Sequence, residues 1–163
     1  MEPVNRDALL GLVRDGAVTV LDVRPTEEYK AGHMIGSLIM QGSGVRWQAY
    51  SDQLLAEAID NQKPVIIDFS AAWCAPCREL DEVTLHDREV VKQAQQDFFM
   101  IKVDLTRRGN PDSDRLLQKY DIKGVPTVIF LDKQGKERRD LRLVDFLPAD
   151  QFLVRMAEIR KTL

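Results

Sequence analysis

The chain has 163 residues, of which 44% are hydrophobic and 30% are charged, and its formal net charge is −3. This balance is typical of a globular protein large enough for one α/β domain with an appendage. The negative charge, without a basic cluster interleaved with aromatic residues, argues against nucleic acid as a partner. No apolar stretch approaches the length of a membrane span, so we expect no direct membrane insertion.

The first 44 residues are predicted to form a separate small segment. The pattern predicts a short helix over 5–15 and two short strands over 18–23 and 37–40. Gln41-Gly42-Ser43-Gly44 is the strongest linker pattern in the chain, which predicts a boundary between 1–44 and 45–163. The N-terminus lacks the apolar core of a signal peptide, so the sequence as printed predicts a cytosolic protein.

The rest of the chain has the pattern of a compact α/β domain. The predicted elements are a helix from Ser51 to Asn61, a strand over 65–69, a helix over 78–83, a helix over 88–96 capped by Asp87, a strand over 98–104, a helix over 113–120, a strand over 128–132, a paired strand over 138–143 and a helix opened by Pro148. Leu54, Leu55, Ala58 and Ile59 are predicted on the inner side of the first helix. This order predicts a central mixed sheet with helices on both faces.

The two cysteines of the chain lie in Trp73-Cys74-Ala75-Pro76-Cys77, at a predicted turn from strand to helix. Residues three apart on a helix have Cβ atoms about 5–6 Å apart, a spacing that allows a disulfide after modest adjustment. The start of a helix also favours a thiolate. A structural zinc site is the alternative, but it needs four ligands, and His33 and His86 lack the usual spacing. We therefore predict a redox-active disulfide, with no metal and no other cofactor.

Residues 45–163 resemble a thioredoxin-fold domain, and within that group the C-terminal thioredoxin-like domain of the DsbD family of thiol:disulfide interchange proteins. The resemblance is carried by the cysteine motif, Gly124-Val125-Pro126-Thr127, Trp47 with Tyr50, and the segments 63–69, 78–81 and 121–130. It implies an α/β thioredoxin-like fold and a thiol–disulfide oxidoreductase. Such an enzyme reduces protein disulfides or relays electrons from a thiol donor. Proline before the second cysteine, which thioredoxin shares, favours the reducing direction.

The resemblance also implies roles for individual residues. Cys74, at an exposed helix start, is the expected attacking thiol, and Cys77 is the expected resolving thiol. Pro126 is the expected cis-proline, with the backbone of Val125 beside it to bind an extended substrate. Trp73, Ala75 and Pro76 complete the predicted substrate-binding set.

Asp68 is predicted to be a buried acid beneath Cys77. Burial raises the pKa of a carboxyl group, and a pKa nearer neutrality suits a base that deprotonates the resolving thiol. The alternative is a structural acid paired with Lys102 on the next strand. Asp81 and Lys102 are expected to modulate the site. Asp145 stands where related domains usually have glycine near the substrate groove, which predicts clients with neutral or basic residues around their cysteine.

The opening segment resembles the start of a rhodanese-like domain. The matching residues are Leu21-Asp22-Val23-Arg24, Glu28-Tyr29 and the segment 32–37. A rhodanese works through a cysteine in a later loop, and no cysteine precedes Cys74, which argues against sulfur transfer. Two alternative functions stay open: a sulfurtransferase or persulfide carrier, which the opening segment suggests, and a non-catalytic binding module. If the chain is a fragment of a longer DsbD-like protein, the expected compartment is the periplasm, and the oligomeric state stays open.

Overall fold

The computed structural model describes residues 21–22, 38–39 and 44–162. The chain divides into two units, Met1–Gly42 and Ser43–Leu163. In the first unit, β1 (Leu21–Asp22) and β2 (Leu38–Ile39) pair in parallel, within the two predicted strands. The predicted helix over 5–15 and most of the rhodanese-like pattern lie outside the described residues, so that interpretation stays a prediction. Among the residues described, no helix is long and apolar enough to cross a membrane.

The second unit is built on a four-stranded sheet with the order β3-β5-β4-β6. Its elements in chain order are β3 (Gln48–Ala49), α1 (Asp52–Asp60), β4 (Val65–Ser70), α2 (Ala75–Glu79), a π-helical turn (Leu80–Thr84), α3 (Arg88–Asp97), β5 (Phe99–Asp104), α4 (Pro111–Lys119), β6 (Thr127–Leu131), a 3-10 turn (Arg139–Leu141) and α5 (Ala149–Lys161). Strands β3, β5 and β4 are parallel, and β6 is antiparallel to β4. The predicted mixed sheet is confirmed.

The helix starts follow from local capping chemistry. Ser51 Oγ accepts a hydrogen bond from the Leu54 N–H, and Asp87 accepts from the backbone of the first turn of α3, as the sequence predicted. Helix α4 begins two residues earlier than predicted, because Asn110 caps it and Pro111 occupies its first position. Proline is favoured there, since its missing N–H has no partner within the first turn.

Strand β4 lies at the centre of the sheet and is buried along its whole length. Alternate side chains point to opposite faces. Val65, Ile67 and Phe69 pack in the core that holds α1 and α4, whereas Ile66 packs in the core that holds α3 and α5. Asp68 has the same parity as Ile66, so the sequence places this carboxyl on the α3 and α5 face.

Two predictions about packing are wrong. Segment 138–143 is not a regular strand: two isolated bridges, Val128 to Leu143 and Leu131 to Glu137, flank the 3-10 turn. The N–H groups of Leu141 and Arg142 donate to the carbonyls of Arg138 and Arg139, at 3.0 and 3.2 Å, and these turn hydrogen bonds take the chain off an extended path. Ile59, predicted on the inner side of α1, is 37% exposed because it lies at the end of that helix.

Candidate active site

The two cysteines form a disulfide at the carboxyl end of β4. Cys74 caps α2, and its sulfur accepts a hydrogen bond of 3.2 Å from the Cys77 N–H. In this oxidised form Cys74 is 5% exposed and Cys77 is 6% exposed, so Cys74 itself is buried although the helix start around it is exposed as expected. Ala71 is buried in the same cluster, and Val125 packs against it. Burial therefore does not distinguish the two sulfurs in the disulfide.

The predicted substrate-binding residues surround this disulfide. The Val125–Pro126 peptide bond is cis. The loop that carries it is braced by Thr127, whose hydroxyl donates to the Gly124 carbonyl at 2.7 Å. Trp73, immediately before Cys74, is 67% exposed, and Ala75 and Pro76 are exposed in the first turn of α2. An exposed apolar rim thus lies beside a buried disulfide.

Asp68 and Lys102 face each other across the β4–β5 register. Lys102 Nζ lies 3.8 Å from Asp68 Oδ2 and 3.9 Å from Asp81 Oδ1. Burial raises the pKa of Asp68 to about 6; the Lys102 charge opposes this rise, and the Asp81 charge adds to it. Asp68 Oδ1 is buried and has no hydrogen-bond partner among the residues described. The structure thus places the buried Asp68 carboxylate beside both predicted modulating residues, Lys102 and Asp81, whose side chains are 32% and 38% exposed.

A cavity of about 360 Å³ extends from Cys77 to Lys102 and Asp81. Cys77, Asp81 and Lys102 line it, together with Ser70 and Thr106. The charged end of Lys102 also lies 5.4 Å from the centre of the Trp47 ring, within the range of a cation–π interaction. The cavity therefore opens the Cys77 side of the disulfide toward Lys102 and Asp81.

Thr106 is a supporting residue that sequence reasoning missed. Its hydroxyl oxygen accepts a hydrogen bond of 2.9 Å from the Ala72 N–H, just before the cysteine motif. Its own N–H and hydroxyl donate to Asp104 Oδ1, and these bonds hold the pKa of Asp104 below its usual range. The end of β5 therefore fixes the start of the redox loop. A Thr two residues after an Asp is the only sequence signal of this turn.

Arg142 was also missed, because it was assigned to a regular strand. Its guanidinium donates to both carboxylate oxygens of Glu137, at 2.8 and 2.9 Å, and to the Tyr120 carbonyl at 2.6 Å. It also donates to the Asp121 carbonyl at 3.2 Å. These contacts fix the chain five residues before the cis-proline.

Asp145 is exposed and lies outside the groove at Pro126. That groove, of about 290 Å³, is lined by Val125, Pro126, Arg142 and Val144, among other residues. The Asp145 carboxylate instead accepts a hydrogen bond of 2.7 Å from the Phe146 N–H. The apolar neighbour Val144, which is 69% exposed, lines the groove at the position expected for Asp145.

A family model described as a thioredoxin-like domain matches residues 51–159. The chain belongs to the thioredoxin-like domain family. It is 39% identical, over 107 residues, to the thiol:disulfide interchange protein DsbD of Vibrio vulnificus, a match that covers 66% of this chain and 18% of that protein. For DsbD of Campylobacter jejuni the identity is 35% over 102 residues, covering 63% and 17% of the two chains.

Solved structures agree with this assignment. The oxidised C-terminal domain of Neisseria meningitidis DsbD has a TM-score of 0.57 and 30% identity, covering 71% of this chain and all of that one (100%). A DsbH oxidoreductase has a TM-score of 0.62 at 18% identity, covers 85% of this chain and 100% of its own, and shows the shared fold. The thioredoxin-like fold, the DsbD relatives and the Cys74–Cys77 disulfide together support thiol–disulfide exchange. The matched region spans less than a fifth of the full-length DsbD relatives.

Proposed function

We propose that the chain is a thiol–disulfide oxidoreductase that works in the reducing direction, accepting electrons from a thiol donor and passing them to a protein disulfide. The observation that carries this proposal is the Cys74–Cys77 disulfide at the start of α2, with Val125 and Pro126 beside it. The similarity to proteins named thiol:disulfide interchange protein DsbD supports the same chemistry.

In the proposed reaction, the reduced enzyme begins with a Cys74 thiolate. The thiolate attacks one sulfur of the client disulfide, a Cys74–client bond forms, and the first client thiolate leaves. Cys77 then loses its proton and attacks the Cys74 sulfur. The Cys74–Cys77 bond forms, and the second client thiolate leaves. Two electrons have moved from the enzyme dithiol to the client.

Each cysteine has a structural feature that supports its proposed role. The Cys77 N–H points at the Cys74 sulfur, and such a donor stabilises a thiolate there. Asp68 is the proposed base for Cys77, because a carboxyl with a pKa of about 6 is largely ionised near neutral pH and still accepts a proton readily. The cavity that joins Cys77 to Lys102 and Asp81 supports proton transfer through water. Lys102 and Asp81 are proposed to set the pKa of this base.

The direction of electron flow is tested by the redox potential. Equilibration with glutathione buffers, followed by tryptophan fluorescence, measures it directly. We expect a value nearer thioredoxin's, about −270 mV, than that of DsbA, about −120 mV. A value as oxidising as about −150 mV contradicts the reducing direction. Reduction of insulin with a dithiol donor then tests the activity itself.

The client, the donor and the compartment belong to the proposal. Two compartments are considered, the cytosol and the periplasm. Fractionation of cells that carry the natural gene, with an antibody against residues 45–163, distinguishes them.

A further inference from the structure

A second groove begins at the active site and extends away from it. It has a volume of about 440 Å³, and Trp73 and Val125 line the end nearest the disulfide. Val125 also packs against the cluster of Ala71 and the two cysteines, so the groove is continuous with the disulfide. Its apolar lining continues through Leu105, Leu117 and Ile122.

The charge of this groove is opposite to that of the whole chain. Arg107, Arg108 and Lys123 line it against a single carboxylate, Asp114, although the formal net charge of the chain is −3. Both arginines are exposed. Within residues 44–162 no carboxylate lies within ion-pair distance of either arginine, whereas Lys123 pairs with Asp121. The groove therefore presents a locally positive rim around an apolar floor.

We propose that this groove binds an acidic segment of the client next to its reactive cysteine, an inference that rests on the proposed function. Apolar client side chains would be buried on Leu105 and Leu117, and client carboxylates would pair with Arg107 and Arg108. Guanidinium groups suit this role because they bind carboxylates with two parallel hydrogen bonds. A positive rim on a negative molecule also steers an acidic segment toward the groove.

This inference reverses the charge preference expected from the sequence. That expectation placed the Asp145 carboxylate at the substrate groove, but Val144 lines the groove there. The charges that share the groove with Trp73 come instead from Arg107 and Arg108, in the loop after β5. The net charge of the chain, −3, favours basic clients. A measured preference for acidic clients would therefore come from the local charge of the groove.

The test compares two peptide disulfides that differ only in charge. Each peptide has one cysteine, flanked by glutamates in one and by lysines in the other, and is oxidised to its homodimer. At an ionic strength of about 0.01 M, we expect the reduced protein to react with the acidic peptide about tenfold faster. The ratio should fall toward one in about 1 M salt, where the screening length is about 3 Å.

Two double variants locate the effect. In Arg107→Gln/Arg108→Gln, the ratio of acidic to basic rates should fall to about threefold or less, because two of the three cations are gone. Arg88→Gln/Lys92→Gln is the matched control: it removes the same charge from exposed positions on α3, outside the groove, and should keep the ratio. Equal rates for both peptides with the wild-type protein overturn the inference. The same loss in both double variants overturns it as well.

Binding separates this inference from the proposed function. Calorimetry with the same peptides, carrying serine in place of cysteine, measures the charge preference without any exchange. If the acidic peptide binds about tenfold more tightly while no disulfide is reduced, the groove inference is supported and the proposed function fails. If exchange proceeds with no charge preference in rate or binding, the proposed function is supported and the groove inference fails.

Discussion

The two sides of the disulfide differ in almost every physical property. On the inner side, Asp68 is 3% exposed and forms a charged cluster with the partly exposed side chains of Lys102 and Asp81. On the outer side, Trp73 is 67% exposed and Val144 is 69% exposed. Handling a proton needs a desolvated group with a shifted pKa, whereas holding a client needs accessible surface. One short motif, from Trp73 to Cys77, separates these two environments.

The inner side also carries an energetic cost that the outer side does not. A buried carboxylate is destabilising unless it is well paired, and the ion pair of Asp68 with Lys102 is long, at 3.8 Å. Exposed apolar residues such as Trp73 leave stability almost unchanged. The comparison therefore predicts that substitutions inside the site alter pH dependence and stability, and that substitutions outside it alter the choice of client.

The largest expected effect comes from Cys77→Ala. Cys74 remains able to attack a client disulfide, but no thiol resolves the complex, so turnover should stop and a mixed disulfide should accumulate. Non-reducing electrophoresis and mass spectrometry with a peptide disulfide measure the adduct. Cys74→Ala is the control and should form none. If Cys74→Ala forms an adduct and Cys77→Ala does not, the attacking and resolving roles of the two cysteines are reversed.

Asp68→Asn should stabilise the oxidised protein at high pH. The folded pKa of about 6 is above the ordinary value of 3.8, so the stability contributed by this carboxyl is present below 3.8 and is lost as pH rises through 6. The variant avoids this loss. Its gain in unfolding free energy should be up to about 2.5 kcal/mol larger at about pH 8 than at about pH 4.

Urea unfolding at the two pH values measures this gain. Asp145→Asn makes the same change at an exposed site and should alter stability by less than about 0.5 kcal/mol at both. A gain for Asp68→Asn that does not depend on pH would mean that the Asp68 pKa is not raised in the fold.

Trp73→Ala tests the outer side. We expect the rate of insulin reduction to fall about tenfold, because a large exposed aromatic beside the attacking sulfur is lost from the client contact. Reduction of 2-hydroxyethyl disulfide, which is too small to need this contact, should fall much less. Val154→Ala, which removes an apolar side chain that is 60% exposed on α5, is the control. Equal losses with both substrates would show that Trp73 acts on the disulfide itself.

The smallest expected effect is a shift in a pH profile. Lys102 lowers the pKa of Asp68, so Lys102→Met should raise that pKa above about 6. The pH at which client reduction reaches half its maximum should then rise by about one unit. Lys119→Met is the control, because Lys119 lies over the Tyr120 ring, away from Asp68. An unchanged profile would mean that Asp68 does not limit the reaction.

Local sequence patterns predicted the parts of the site whose residues lie close together along the chain or on adjacent strands. The apolar run before the cysteines identified β4, and the cysteine spacing predicted the disulfide. The possible pairing of Asp68 with Lys102 was foreseen because both lie on adjacent strands. These features need only chain order and the two-residue period of a strand.

Contacts between residues far apart in the sequence could not be predicted from local patterns. Thr106 braces Ala72 from 34 residues away, and Arg142 reaches the Tyr120 carbonyl over 22 residues. Their positions depend on how loops pack after the sheet has formed. Asp145 was misplaced because a shift of one residue at the end of an irregular segment exchanges its place with Val144.

The irregular segment 137–143 also determines what the edge of the sheet can do. Strand β6 is the outermost strand on its side, and every residue in it is buried. Val128 exchanges both backbone hydrogen bonds with Leu143, and the Phe130 carbonyl accepts from the Arg138 N–H at 2.9 Å. An open edge would be a template on which a strand from another chain could add, leading to aggregation. By occupying these donors and acceptors without extending into a strand of its own, the segment closes the sheet on that side against both aggregation and strand exchange.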